Sequence, residues 1–397
     1  MANDLLNSTE VTRAALAILH QKLNFVGNVH RDYDDRFAKS GAKIGDTLTI
    51  RLPNEYTVRS GATLSAQDTT NTSTVLAVTN QKGVDVNFTS AELTMKIDAF
   101  SKNILEPAMS VLAANIEADA LSMYKDVYNL VDGDAAAFTF GSVVDAKTML
   151  TNMLAPTNDR SMVMNTTHAN KLIRDRKDAF NPSADVSRMF REGIVDRSAG
   201  FDLYENTLML PHTTGTAAKT TGYLTNAGTA QTGSTLVVDT GTTTFLVGDV
   251  ITIADVFRVH PETKTSTGVL QQFVITANSG TSATSLAISP AIVASGARQN
   301  VTNGAADNKA IVKVGAGANE TLVQSLSFQK GAFCFATADL VLPEGVDFAA
   351  RQVMDGISMR IVRQYDIVND KFPCRIDVLY GYKTLRAQLA TRVHNDA

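Results

Sequence analysis

Residues 89–130 decide the fold, and their sequence is TSAELTMKIDAFSKNILEPAMSVLAANIEADALSMYKDVYNL. Apolar side chains recur in this stretch at steps of three or four residues, as one face of a helix requires. They are Leu93, Ile97, Phe100, Ile104, Ala108, Leu112, Ile116, Ala120, Met123 and Val127. Thr89 and Glu92 predict a capping box at the start. An unbroken helix over this range is about 60 Å long.

Pro107 lies near the middle of this stretch and removes one backbone hydrogen-bond donor. The sequence therefore predicts either a kink there or two helices, the second with Pro107 in its first turn. A rod longer than a compact core needs indicates a scaffold for surfaces that meet other molecules.

Two stretches before this helix alternate between apolar and polar residues, which is the pattern of half-buried strands. The apolar positions are Leu48, Ile50 and Leu52 in the first stretch, and Val84, Val86 and Phe88 in the second. Between them, residues 54–74 form a polar tract rich in Thr, Ser and Asn. Residues 46–88 therefore predict an extended hairpin arm, which buries too little of its own surface to be stable alone and must lie on another surface.

Charged side chains on and before this arm are candidates for contacts between subunits. Arg51, Glu55 and Arg59 lie on the predicted hairpin, where an exposed ion pair contributes only ~0–1 kcal/mol. The tract of residues 31–36 carries charges of both signs, and it is either a solvated arm or a segment that pairs with a neighbouring subunit.

Composition limits the classes of protein that this chain can belong to. Its 397 residues suffice for two or three domains, and a net charge of −4 argues against a sequence-reading nucleic-acid binder, which normally carries a basic stripe. Contact with nucleic acid through a local patch stays open. Cys334 and Cys374 cannot form a disulfide framework, and the sequence shows neither a signal peptide nor a membrane span. We therefore expect folding in a reducing cytoplasm, without membrane contact.

The composition changes near residue 212. From residue 213 to residue 325 charged residues are sparse, Thr and Gly are common, and the periodic segments are short and strand-like. This pattern is typical of a small all-β barrel or sandwich. Because helices and strands of the earlier kind return after residue 326, the β module is predicted to be inserted into an α+β domain made from residues 134–211 and 326–397.

Motifs for catalysis, cofactors and metals are missing from the sequence. The histidines are scattered, with no H-x-x-x-H pair, and they are His20, His30, His168, His212, His260 and His394. Residues 315–317, Gly-Ala-Gly, lack the third glycine and the following helix of a dinucleotide-binding loop. We therefore predict no catalytic residues, no cofactor and no metal site.

Three short motifs, taken with the order of the predicted elements, resemble those of a known family. They are Ala199-Gly200-Phe201-Asp202 with Leu210-Pro211, then Leu246-Val247-Gly248-Asp249-Val250-Ile251, and finally Cys374-Arg375-Ile376 with Leu379-Tyr380-Gly381. The chain resembles the major capsid (coat) proteins of tailed double-stranded DNA bacteriophages, which share the Hong Kong 97-like fold. Within them it is most similar to the short-tailed phage (podovirus) subgroup, whose coat protein carries an inserted β-barrel domain.

This resemblance implies an α+β capsid fold with an N-terminal arm, an extended loop, a long spine helix, an axial α/β domain and an inserted barrel. The implied domains are residues 1–45 as the arm, 46–88 as the extended loop, 89–133 as the spine helix of the peripheral domain, 134–211 with 326–363 as the axial domain with peripheral strands, 212–325 as the inserted barrel, and 364–397 as the C-terminal peripheral strand and tail. Residues 210–248 depart from the subgroup, because this stretch is shorter and less charged than its counterpart there, which often carries a loop that bridges capsomers. That contact is therefore not carried over to this chain.

The resemblance implies a structural role in the virion, assembled in the host bacterial cytoplasm. The expected partners are copies of the chain in pentamers and hexamers, a scaffolding protein and a portal protein at one vertex, around double-stranded DNA that is enclosed without sequence-specific binding. Whether a decoration protein binds is left open. The alternatives are an encapsulin-like nanocompartment shell protein that packages enzymes, a β-rich surface-binding or adhesive protein and, ranked last, an enzyme.

Overall fold

A computed structural model gives the architecture of the chain. It describes residues 12–13, 15–17, 23–31, 46–59, 61–64, 66–68, 71–88, 106–133, 137–175, 197–219, 222–226, 228–239, 241–315, 317–354, 357–369 and 371–395. The first part of the predicted long helix, residues 89–105, lies outside the described residues, as does most of the charged tract of residues 31–36.

The helices and strands are numbered here in chain order. The helices are α1 (Asn24–Asn28), α2 (Glu106–Leu121), α3 (Phe140–Asn152) and α4 (Thr166–Asp175), and 3₁₀ turns occupy Ser122–Asp126, Lys330–Ala332 and Ala387–Leu389. The strands before the barrel are β1 (His30–Arg31), β2 (Asp46–Arg51), β3 (Ser73–Val78), β4 (Asn80–Phe88), β5 (Leu130–Gly133), β6 (Arg160–Met164), β7 (Arg197–Ser198), β8 (Phe201–Glu205) and β9 (His212–Thr213). The barrel strands are β10 (Tyr223–Thr225), β11 (Gly233–Asp239), β12 (Val250–Val259), β13 (Ser266–Ile275), β14 (Ser285–Ile292) and β15 (Ala310–Lys313). The remaining strands are β16 (Thr321–Gln329), β17 (Phe333–Ala338), β18 (Phe348–Met354), β19 (Ile357–Arg363), β20 (Phe372–Thr384) and β21 (Ala390–Asn395).

The chain divides into two compact units. The first contains Met1–Leu52, Ser73–Leu121 and Phe333–Leu385. The second contains Pro53–Thr72, Ser122–Ala332 and Arg386–Ala397. The chain thus passes between the units several times, and residues 333–363 belong to the same unit as α2.

A six-stranded sheet forms the centre of the first unit. Its order is β1-β17-β20-β19-β18, and β4 pairs antiparallel with β20. The separate pair β2–β3 lies on this sheet, where Leu48 and Leu76 pack against Cys334 and Ala336. Gly381 on β20 permits this approach, because a Cβ atom there would overlap the carbonyl oxygen of Ala77 on β3.

The strand pairing corrects one prediction. The sequence predicted that residues 46–52 and 84–88 form the two strands of one hairpin. Instead β2 pairs with β3, with Asp46 opposite Val78 and Arg51 opposite Ser73, while residues 84–88 belong to β4 in the central sheet. Apolar and polar residues alternate both in β2 and in residues 84–88. The alternation alone therefore could not identify the partner of β2.

The periodic face of α2 is buried as its sequence indicates. Its buried apolar residues are Ala108, Met109, Leu112, Ala113, Ile116, Ala120 and Leu121. Glu117 is also buried, and its carboxylate accepts hydrogen bonds from the backbone N–H groups of Phe25 and Val26 on α1. Pro107 is the second residue of α2. The choice between a kink and two helices depends on residues outside the described part of the chain.

The prediction that the helix continues to residue 130 is wrong. The α-helix ends at Leu121, a 3₁₀ turn follows, and Leu130 begins β5, which pairs in parallel with β21. The side-chain amide of Asn129 donates to the carbonyl oxygens of Gln388 (3.3 Å) and Ala390 (3.0 Å). Pairing with a distant strand therefore overrides the local helical period.

The second unit contains a seven-stranded sheet and the barrel. The sheet has the order β5-β21-β16-β6-β8-β7, with β9 pairing with β16. All five residues of β6 and all six of β21 are buried, as expected for strands in the middle of a sheet. Helix α3 buries Val143, Ala146 and Leu150, and α4 buries Ala169 and Leu172.

The barrel is closed by strands in the order β10-β11-β14-β13-β12-β15. Its core consists of Ala217, Tyr223, Leu236, Val238, Phe245, Ile251, Ile253, Val256, Phe273, Ile275, Leu286, Ile288, Ile292, Val301, Ala305 and Ile311. Closure leaves none of these strands with an unpaired edge. The predicted inserted all-β module is thus confirmed as a closed barrel, and its strands lie between Tyr223 and Lys313.

Candidate functional site

The hairpin of β2 and β3 carries a loop, residues 53–72, that is the first candidate site. At its root Leu48 and Leu76 are buried, whereas Thr49 and Val75 are exposed, so the strands have one inner and one outer face. Within the loop, the backbone N–H of Thr57 donates to Oε1 of Gln67 at 2.9 Å. The loop therefore holds itself together through side chains rather than through a strand ladder.

The three charged residues predicted for subunit contacts lie at this loop. Arg51, Glu55 and Arg59 are all exposed. Arg59 donates from Nη1 to the carbonyl oxygen of Thr63 at 3.0 Å and also to that of Gly61, whose φ of +90° favours glycine. Arg59 thus stabilises a turn of its own loop. That these three residues bind a neighbouring subunit stays a prediction.

The loop also exposes three apolar side chains, which sequence reasoning missed because its candidates for contacts were charged residues. Tyr56, Val58 and Leu64 are 56%, 95% and 82% exposed. They are the large apolar residues of an otherwise polar tract, and this contrast was the sequence signal that could have found them. Exposed apolar groups that share one short loop are typical of a surface that another protein covers.

The loop also contacts the barrel within the second unit. Nη2 of Arg298, in the connection between β14 and β15, donates to Oγ1 of Thr72 at 2.7 Å. At the neck of the loop, the Asn54 amide donates to Oδ1 of Asn71 at 3.4 Å. One end of the loop is thus tied to the barrel.

A buried polar cluster lies where the chain enters the barrel, and Asp249 is its centre. One carboxylate oxygen accepts from Nε2 of His212 at 3.2 Å. The other accepts from the backbone N–H groups of Leu246 (2.9 Å) and Gly215 (3.0 Å). Gly248, with φ of +99°, forms the turn that presents this carboxylate. The cluster therefore ties the turn before β12 to the segment that follows β9.

His212 and Arg392 extend this cluster toward the seven-stranded sheet. Nδ1 of His212 lies 3.1 Å from the Tyr124 hydroxyl, which donates to it when Nε2 carries the proton. Nη2 of the fully buried Arg392 donates to the carbonyl oxygen of Gly248 at 2.6 Å, and its guanidinium lies over the Tyr124 ring. The barrel is therefore anchored to β21 as well as to its own flanking segments.

Burial controls the titration of these groups. It lowers the pKa of His212 below the ordinary value, against the opposing effect of its hydrogen bond to Asp249. Burial alone raises the pKa of Asp249, but the hydrogen bonds from His212, Leu246 and Gly215 outweigh it, so that pKa is lowered. Burial also lowers the pKa of Arg392 to about 10. Near neutral pH the cluster thus holds a neutral imidazole, a carboxylate and a guanidinium.

Lys313 closes the other side of the cluster, at the end of β15. Its ammonium donates to Oγ1 of Thr214 (3.0 Å) and to the carbonyl oxygens of Gly215 (3.2 Å) and Gly317 (2.6 Å). It therefore joins the chain before the barrel to the chain after it. This arrangement stabilises a fold, and we see no reacting group at an open surface in it.

Metal-binding clusters and membrane-spanning helices are absent from the part of the chain that the structure describes. Its side chains include no group of three or more His, Cys, Asp or Glu residues placed to hold a metal ion. No described helix combines the length and the hydropathy needed to cross a membrane.

Comparison with known families identifies the chain. The family model of the P22 coat protein, gene protein 5, matches residues 28–391. The chain belongs to the P22 coat protein family. No curated protein sequence gives a significant match. Family membership makes the chain a structural subunit and not an enzyme.

Solved structures with a similar course of the chain also come from capsids and related particles. The structure from Mycobacterium phage Che8 is 12% identical over 94% of this chain and 90% of that one, with a TM-score of 0.44. The mature capsid of bacteriophage PhiM1 is 11% identical over 94% and 86%, with a TM-score of 0.42. The virus-like particle from Pyrococcus furiosus is 6% identical over 97% of each chain, with a TM-score of 0.41. The family match, and not these likenesses, assigns the chain.

The assignment gives this coat protein its role. It is a major capsid protein of a tailed phage, a component of the virion that associates with copies of itself into an icosahedral shell. The predicted fold class, a Hong Kong 97-like α+β capsid fold with an inserted β-barrel, is confirmed, as is the predicted function as a shell subunit.

Proposed function

We propose that this coat protein assembles on a scaffolding protein into pentamers and hexamers, with a portal protein at one vertex, and that the closed shell holds double-stranded DNA. A net charge of −4 supports a container that does not grip the polyanion inside it. Many weak contacts repeated by symmetry suffice to hold such a shell.

Residues 46–88 act in this proposal as the extended loop that overlaps an adjacent subunit. The observation that carries it is the exposure of Tyr56, Val58 and Leu64 on a loop fixed by its own hydrogen bonds. An ordered loop loses little conformational entropy on binding, so its apolar side chains contribute more of their burial to the contact. Arg51 and Glu55 then lie at the edge of the contact.

The domain roles are part of the same proposal. The sheet and helices of residues 134–211 form the axial domain around fivefold and sixfold positions, α2 belongs to the spine of the peripheral domain, and residues 212–325 form the inserted domain. The closed barrel supports a separate role for the insertion, because it completes its own core.

Deletion of the loop tests the proposal. Replacing residues 54–71 by a short Gly-rich turn should leave a folded, soluble subunit, because none of the described residues in this range contributes a buried core side chain. Co-expressed with its scaffolding protein, the variant should form no closed shells in electron micrographs. Shells of normal size and yield would overturn the loop assignment, and shells formed equally well without the scaffolding protein would overturn its role.

A triple variant separates the apolar contact from the mere presence of the loop. Tyr56→Ser, Val58→Ser and Leu64→Ser together keep the loop length and the hydrogen bonds of Thr57 and Arg59. Glu55→Gln, at an exposed position of the same loop, is the matched control for the charge. We expect the triple variant to lose shells and the control to keep most of them.

A further inference from the structure

The turn between β19 and β20 carries two aliphatic side chains that are exposed to solvent. Ile367 is 81% exposed and Val368 is 85% exposed, and Tyr365 beside them is 40% exposed. Val341 and Leu342, in the segment leading to β18, are also exposed, at 58% and 37%. We refer to Ile367 and Val368 as the aliphatic tip.

Hydrogen bonds among the described residues of the turn support the aliphatic tip. The Asp366 carboxylate accepts from the backbone N–H of Val368 at 3.0 Å and from the side-chain amide of Asn369 at 2.7 Å. The backbone N–H of Asp366 donates to the carbonyl oxygen of Lys371 at 2.8 Å. Behind the turn, the rings of Tyr365 and Phe372 lie 4.8 Å apart. Both side chains of the tip are β-branched, so they have few rotamers to lose when they are buried.

The same unit contains an open groove. It is about 390 Å³ in volume and is formed by residues of β4, β19 and β20. Its lining combines apolar side chains with a polar set, and the residues are Asp85, Val86, Asn87, Val362, Gln364, Pro373, Cys374 and Arg375. The volume suffices for two aliphatic side chains. The tip of the same chain does not fill it, since Ile367 and Val368 are exposed.

We propose that the aliphatic tip of one coat protein docks into this groove on a second copy. The inference rests on the assembly of the chain into a shell, in which other copies are its established neighbours. A tip that enters a different surface on its partner is a heterologous contact, and such contacts close into rings when a rotation relates the copies. Asp85 and Arg375 at the groove then face the backbone of the incoming turn.

A mapped cross-link tests where the tip docks. A photoreactive diazirine amino acid replaces Val368, and shells are assembled from a mixture of light and heavy-nitrogen subunits. The expected product joins position 368 of one label to residues 85–87 or 373–375 of the other label. Cross-links confined to one label, or to residues outside the groove, would overturn the proposal.

A charge variant tests whether the contact matters for assembly. Ile367→Asp with Val368→Asp should leave the melting temperature of the unassembled subunit unchanged, because both side chains are exposed there, and should lower the yield of closed shells about tenfold. Val269→Asp, at a 52% exposed position on the barrel, is the control and should assemble normally. Normal shells from the double variant would contradict the proposal.

The outcome is distinguishable from failure of the loop proposal, because the loop of residues 53–72 and the tip belong to different units of the chain. If the loop deletion assembles normally while the tip variant does not, only the role of the loop is lost. If cross-links reach the groove in shells that need no scaffolding protein, tip docking stands without that partner.

Discussion

Asp249 accepts a hydrogen bond from Nε2 of His212 at 3.2 Å, and both side chains are almost completely buried. His212 belongs to β9, which leads into the inserted barrel, and Asp249 belongs to the turn before β12 inside it. The pair therefore connects the insertion to the strand that carries it. The contribution of this pair to the stability of the second unit depends on a charged Asp249 carboxylate and a neutral His212 imidazole.

Asp249→Asn should destabilise the second unit by about 3 kcal/mol, because it removes a buried charge from a network built around it. The new amide nitrogen either meets the N–H groups of Leu246 and Gly215 or leaves His212 without its acceptor. Chemical denaturation of the unassembled subunit, followed by the fluorescence of a dye that binds exposed apolar surface, measures the loss.

Asp255→Asn is the matched control for that measurement. Asp255 lies in β12, close in sequence to Asp249, but its side chain is 63% exposed and its partner is Lys309 at 2.6 Å. An exposed ion pair contributes about 0–1 kcal/mol, so this variant should stay close to the parent protein. Equal effects from the two variants would show that the buried network has no special role.

Acid should destabilise the second unit already at pH values above the ordinary pKa of carboxyl groups. Burial lowers the pKa of His168 from 6.5 to about 3, and it lowers the pKa values of His212 and His394 as well. The unfolded chain therefore binds more protons than the folded one below pH 6.5. The free energy of unfolding decreases as the pH is lowered. At about pH 5, His168 alone accounts for a loss of about 2 kcal/mol.

Removing the titrating ring tests this dependence. His168 stacks on Phe138 with ring centroids 4.3 Å apart, and its Nδ1 lies 2.6 Å from Oγ of Ser325. The double variant His168→Phe with Ser325→Ala keeps the stacking and leaves no orphaned hydroxyl. Its stability should change less between neutral pH and about pH 5 than that of the parent protein. A slope equal to that of the parent protein would assign the acid sensitivity elsewhere.

Glu117→Ala should release the N-terminal segment around α1. The Glu117 carboxylate is the acceptor for the N–H groups of Phe25 and Val26, and an unsatisfied buried donor costs about 1–3 kcal/mol. We expect faster hydrogen exchange and protease cleavage in residues 23–29. Glu106→Gln, an exposed change in the first turn of α2, should leave both rates as they are.

Gly381→Ala should disturb the root of the hairpin. The added methyl group overlaps the carbonyl oxygen of Ala77, and backbone cannot yield as a flexible side chain does. We expect destabilisation of about 1–3 kcal/mol, as for other overpacked sites. Calorimetry of the first unit's transition measures it. Gly345→Ala, where no neighbour limits the space, would show only the strain of a positive φ.

Local patterns predicted much of this fold. Helical spacing located the buried face of α2, and the loss of charge after residue 212 located the barrel. These signals are readable because the residues that are buried together, on one face of a helix or within one module, share a local pattern in the sequence. They do not identify strand partners, and β3 was therefore missed as the partner of β2.

Strand β21 shows why the rest could not be predicted. Its sequence, Ala-Thr-Arg-Val-His-Asn, has the composition of a solvated tail, yet every residue is buried. Arg392 is stabilised there by a hydrogen bond to the carbonyl oxygen of Gly248 and by the ring of Tyr124. Both residues lie far from Arg392 in the sequence. In the same way Asp249 had no visible partner, since His212 lies 37 residues before it.

The pairing of β9 with β16 has a practical consequence. Thr213 lies opposite Thr321, so the two points where the chain leaves and rejoins the sheet are about 5 Å apart. A foreign domain with adjacent termini can be grafted between them without stretching the sheet, provided that it supplies an acceptor for the buried guanidinium of Arg392, as Gly248 does. The coat protein then becomes a display platform, on which each copy in the shell presents one guest in place of the native barrel.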